Sequence, residues 1–166
     1  MKHWLLVALF VCLGAAGFAR PQQMNMQTNV RIINGADTPE QIPDKKAYFH
    51  VMYRIGKFAQ DPTTNPVADV ALARLGFISD ETPQAKRIFI NFANQYDADE
   101  AEFNKLATAN DAKGVRTDKT AFESQIDKLV ADTRSELASV LGTNSLLNFH
   151  SFVLGEKKHM RIAVPQ

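Results

Sequence analysis

The sequence predicts an all-α fold, a bundle of four or five helices with a long central antiparallel helix pair, preceded by a signal peptide and a loose N-terminal arm. Three observations carry this. Within residues 83–107, Ala85, Phe89, Phe92, Tyr96, Phe103 and Leu106 recur at alternating spacings of four and three, which lines them along one helical side as a seam for a neighbouring helix. A second periodic run, with Phe122, Ile126, Leu129, Val130, Leu137, Val140 and Leu141, follows across a short connection at Gly114, and short connections favour antiparallel neighbours. Turn formers cluster between the periodic stretches, at Asp61–Pro66, Gly76 and Gly142.

The elements run in order from a leader. Lys2 and His3 form a short polar head, Leu5 to Ala19 is almost purely apolar, and Gly17 and Ala19 put small residues where a signal peptidase reads them. The expected division is a signal peptide at 1–19, a flexible arm at 20–37 and a single helical domain at 38–166. Cleavage after Ala19 makes the protein secreted or periplasmic. The apolar run is shorter than the ~20 residues of a membrane span, so no stable span is expected once the leader is gone.

Removal of the leader also changes the chemistry. Cys12 is the single cysteine of the 166 residues, so residues 20–166 have neither disulfide nor thiol. The 19 basic residues include Lys2 and the leader holds no acid, so residues 20–166 balance against the 18 acidic ones. Nucleic acid is therefore not an expected partner, because phosphate binding needs an excess of Lys and Arg on one face.

Residues 20–37 are polar and lack helical periodicity, which reads as a loose arm. The first helix is expected to begin at Thr38–Pro39–Glu40–Gln41, a threonine cap with glutamine three residues on. Pro43 can interrupt it, since the residue before proline avoids the helical region. Tyr48, Met52, Ile55 and Phe58 then follow helical spacing. A short second helix spans Val67 to Leu75 and stops at Gly76, a natural left-handed terminator. The long third helix opens at Thr82–Pro83 and fades near Asn110–Asp111. Its seam has one gap, at Asp99, which either fixes register or marks where the partner helix ends. The fourth helix runs from about Thr117 to Leu141. The last carries Leu146, Phe149, Val153 and Met160 on one side, with Gly155 inside it and Lys157, Lys158 and Arg161 in its final turns, matched to the helix dipole.

Candidate sites are few. His50 and His150 sit among aromatic, bundle-facing residues, and if their helices were neighbours the two imidazoles with an acid would suit zinc or another transition metal. His159 is a distant third. The same positions also fit histidines simply bonded to a neighbour within the core. Phe89, Phe92, Tyr96 and Phe103 either fill the core or line a groove for an amphipathic segment of another protein. The acidic run Asp97, Asp99, Glu100 and Glu102 lacks the glycine and closing glutamate of a calcium loop and reads as a solvated helix face. Ser135, Ser139 and Ser151 lack any nucleophile motif. No catalytic set and no cofactor is indicated.

Two resemblances bear on the role. The segments Ile42–Pro43–Asp44, Leu75–Gly76–Phe77–Ile78–Ser79–Asp80 and Phe152–Val153–Leu154–Gly155–Glu156–Lys157 resemble those of small secreted all-helical bacterial proteins of no assigned activity. The last two helices are similar to the LTxxQ segments of Spy/CpxP-type periplasmic proteins, helical chaperones or stress sensors, although the run here, Leu141–Gly142–Thr143–Asn144–Ser145, has no glutamine. The run Arg31-Ile-Ile-Asn-Gly35 resembles the activation site of trypsin-like proteases, but no Ala-His-Cys or Gly-Asp-Ser-Gly segment accompanies it. The expectation is a non-enzymatic extracytoplasmic binding protein, chaperone-like in its dealings with a protein partner or an unfolded client, with homodimer formation open. The alternative is a metal- or cofactor-binding bundle using His50 and His150.

Overall fold

Helix α3 (Thr82–Asp111) is the spine against which the other elements pack. The computed structural model describes residues 30–165, so the expected signal peptide and arm residues 20–29 lie outside the described residues. In chain order the elements are β1 (Val30–Asn34), α1 (Asp44–Gln60), α2 (Asn65–Arg74), α3, α4 (Thr120–Val140), α5 (Thr143–Glu156) and β2 (Arg161–Pro165). Single 3₁₀ turns precede α1 (Pro39–Gln41) and follow α5 (Lys157–His159). The fold is predominantly helical, as the periodicity predicts, with one small sheet added.

Helix α1 lies antiparallel on the first half of α3. At one end Gln60 Nε2 donates to Asn94 Oδ1 at 2.9 Å, and at the other Phe49 meets the Tyr96 ring edge-on at 4.7 Å. The approach is close because Gly56 has no side chain, and a Cβ there would stand 2.2 Å from the Phe89 carbonyl oxygen. Helix α4 returns antiparallel to α3 after a turn in which Gly114 adopts φ 68°, a left-handed value glycine takes without strain. The two helices meet through Asn110 Nδ2 donating to Thr117 Oγ1 at 3.0 Å and through the Phe103–Phe122 stack at 4.7 Å. This is the long antiparallel pair of the sequence reading. Helix α5 closes the bundle with the buried Phe149 ring among Tyr48, Phe77 and Phe89.

The ends of α3 and α5 are organised by one buried acid. Glu81, just before α3, accepts from Ser145 Oγ at 2.6 Å, from the Gly142 amide at 2.6 Å and from the Ile78 amide at 3.1 Å. These donors, the Ser145 hydroxyl foremost and then the Gly142 amide, hold its carboxyl below the ordinary glutamate range. The expected cap at Thr82 is not made, because its hydroxyl donates back to the Ile78 carbonyl at 3.0 Å. Gly76 does end the α2 segment in the left-handed region, with φ 78°.

Two expectations are corrected. The arm is not loose throughout, because Val30–Asn34 pairs antiparallel with Arg161–Pro165, Asn34 opposite Arg161. The last helix does not reach Arg161. It stops at Glu156, and the chain leaves as β2 through Ile162 and Val164, whose β-branched side chains suit a strand. The Gly35 amide donates to the Met160 carbonyl at 2.8 Å, extending the pairing. Lys157 then turns inward as a buried ion-pair partner of Asp44, tying the end of the chain to the start of α1.

Candidate functional site

The residues singled out from sequence separate into three places. Phe89 and Phe92 lie in the core, 0% and 1% exposed, where no partner reaches them without separating α1 from α3. Tyr96 and Phe103, farther along the same seam, are half-buried. The Tyr96 ring packs on Phe49, Tyr53 and Phe122, and its hydroxyl donates to Glu100 at 2.7 Å. The acidic run is not merely a solvated face. Asp97 accepts from Tyr53 at 2.8 Å and from Lys57 at 2.9 Å, while buried Asp99 accepts from Gln95 at 2.9 Å. Burial, reinforced by the bond to Asp97, pushes the Tyr53 phenol up to about 12.

His50 and His150 have different surroundings. His150, half-buried, has its Nδ1 2.6 Å from the Tyr48 hydroxyl. His50, also half-buried, has Arg54 and Glu156 as its charged neighbours. Burial foremost, and then Arg54, pushes its imidazole below the usual histidine range, with Glu156 opposing. Among the described residues no group of three or more His, Cys, Asp or Glu side chains comes together to hold a metal ion. His150 thus makes the ordinary core bond that was the plainer reading of its sequence setting.

The apolar groove that the sequence reading did not isolate lies beside His50, between the C-terminal half of α1, α2 and the end of α5. It encloses about 310 Å³. Its floor is Val51, Ile55 and Leu75, all buried, and its lips are Phe58, Val67 and Phe152, which are 36%, 54% and 40% exposed. The cause is in α2. This ten-residue helix buries Ala68 and Leu72 against the bundle and turns Val67 and Val70 outward. A helix apolar on more than one side has more apolar surface than one packing face can use. The sequence signal for this is the apolar character of both sides of a helix only ten residues long.

The rim of the groove is cationic. Arg54 lies 3.7 Å from Glu156 and 6.0 Å from the centre of the Phe58 ring. Arg74, at the end of α2, lines the groove and has no ion-pair partner among the described residues. No described helix is long and apolar enough to cross a membrane. Comparison with protein-family models, with curated proteins and with solved structures gives no match.

Proposed function

We propose that this chain is a non-enzymatic helical binding protein that works outside the cytoplasm and takes the apolar side of a protein segment into the α1–α2–α5 groove. The observation that carries this reading is the grouping of Phe58, Val67 and Phe152, three large apolar side chains held part-exposed around one groove by three different helices. Scattered surface apolar residues are ordinary, but a group lining one concavity is the usual sign of a docking site. Arg74 on the rim selects for a segment with an acidic residue beside its apolar anchors. The leader-like N-terminus supports the extracytoplasmic setting, and the likeness to Spy/CpxP-type helical proteins supports an unfolded client over a single folded partner.

The test is suppression of aggregation. Light scattering from an unfolded client is followed with and without the protein, and with a Val67→Asp/Phe152→Asp double variant. Both positions are exposed, so the variant keeps its fold, which circular dichroism checks. The expected result is suppression near equal molar ratio by the unmodified chain and at least a tenfold higher requirement for the variant. Equal behaviour of the two proteins, or no suppression by either, rejects the groove as a client surface.

A further inference from the structure

A second concavity, on the opposite flank of α5, is built differently and points to a different kind of ligand. It lies between α4 and α5, measures about 490 Å³, and is walled by aliphatic side chains including Ala131, Leu146 and Leu147. Pockets for small molecules span about 300–1,000 Å³ and combine an apolar wall with a few convergent polar groups. Here the polar groups converge on one residue. The Arg134 guanidinium carbon stands 4.0 Å over the centre of the Tyr48 ring, and His150 Nδ1 is 2.6 Å from the Tyr48 hydroxyl.

The charges are set up to receive an anion. Arg134 makes no ion pair among the described residues. The acid that acts on it and on His150 is Asp44, and that carboxylate is bonded to the buried Lys157 ammonium. A guanidinium resting on an aromatic face is weakly hydrated and presents a planar fork of donors that matches a carboxylate in two bonds. His150, held by its Nδ1 contact with the Tyr48 hydroxyl, lines the same cleft and adds a second polar group beside the guanidinium. Leu147 is 57% exposed beside these groups, an apolar surface left uncovered among the described residues.

We infer that the α4–α5 cleft binds an aliphatic monocarboxylate, with the carboxylate on Arg134 and His150 and the hydrocarbon chain against Leu146 and Leu147. A carboxylate is favoured over a larger anion because the single planar guanidinium fork of Arg134 matches its two oxygens. A hydrocarbon tail is favoured because the rest of the wall is apolar apart from Ser135, whose hydroxyl is spent on the Ala131 carbonyl at 3.1 Å. The site is independent of the α1–α2–α5 groove, and neither proposal requires the other.

The test is titration calorimetry of the chain with hexanoate, octanoate and decanoate, each kept below the concentration at which it aggregates, and with 1-octanol as the uncharged control. The expected result is saturable one-to-one binding that tightens about fourfold per added methylene, with octanoate bound about tenfold tighter than octanol. Arg134→Gln brings octanoate down to the octanol level and leaves octanol unchanged, while Arg134→Lys recovers part of the difference. Arg134 is exposed, so these variants keep the fold, and circular dichroism verifies it. Equal binding of acid and alcohol, binding insensitive to Arg134→Gln, or no saturable binding of any of the acids overturns the inference. Binding of the acids that is lost in Val67→Asp/Phe152→Asp but kept in Arg134→Gln also overturns it, because it assigns the ligand to the other groove.

Discussion

The two halves of α3 carry the same pattern and meet different fates. Phe89 and Phe92 in the first half are buried completely, whereas Phe103 in the second half is half-buried and Leu106 is 53% exposed. The difference is in what lies across from them. The first half is covered by α1 along its length and by Phe149 of α5. The second half extends past the start of α1, whose Phe49 reaches Tyr96, and has α4 beside it, touching through Phe103 and Phe122. Asp99, the gap in the seam, is buried between the two halves and accepts from Gln95. A periodic apolar face states which side of a helix wants cover. The number of helices that reach that side decides how much it receives.

The comparison is broken most directly at Phe89. Replacing it with alanine is expected to cost about 3–5 kcal/mol, the range for a large ring removed from a closed core, read from the midpoint of urea unfolding. A loss near 1 kcal/mol would mean that the two halves of α3 are packed alike after all.

Glu81 sharpens the comparison with a pH signature that belongs to the packed end. Glu81→Ala strips a buried acceptor from the Gly142 amide and the Ser145 hydroxyl, with an expected cost of about 2 kcal/mol at neutral pH. Its folded carboxyl titrates below the ordinary glutamate value, so its contribution is complete above that value and is lost as pH falls through the lowered folded one. The gap in unfolding midpoint between the unmodified chain and the variant should therefore narrow on acidification from pH 7 toward pH 3. A gap that is constant over this window would show that the carboxylate charge is not what these donors recognise.

The smallest effect is expected in the outer half. Phe103→Ala removes one ring of a stacked pair that solvent already reaches, at about 1 kcal/mol. Its mark should be local, with faster amide exchange around residues 100–126 and little change near Phe89. Exchange that rises equally at both ends would join the outer hairpin and the packed end into one cooperative unit.

Much of this organisation was legible along the chain. The first four helices fall near where four-and-three spacing and the breakers at Gly76 and Gly114 put them, because these signals act within a few residues, whereas the last stops at Glu156, short of Arg161. The sites were less legible. Tyr48 reads as one more apolar residue of α1 and Arg134 as part of a solvated face. Nothing local says that a guanidinium on one helix rests on a ring of another. His150 was noticed for its aromatic setting, yet its partner, Tyr48, is 102 positions away. Within the short second helix, nothing local says that Ala68 and Leu72 face the bundle while Val67 and Val70 turn outward.

By itself, then, the sequence determined the helical class, the seam of α3, the antiparallel return of α4 and the charge balance of residues 20–166. These follow from periodicity, turn chemistry and composition, which are properties of neighbouring residues. Tertiary structure alone decided that Val30–Asn34 and Arg161–Pro165 are strands, since each is completed by the other from the far end of the chain. It alone decided that Phe89 is core and Phe103 is rim, and that two separate clefts flank α5. Each of those outcomes depends on which faces of separate helices come within contact distance, and that distance is set by the packing of the whole chain.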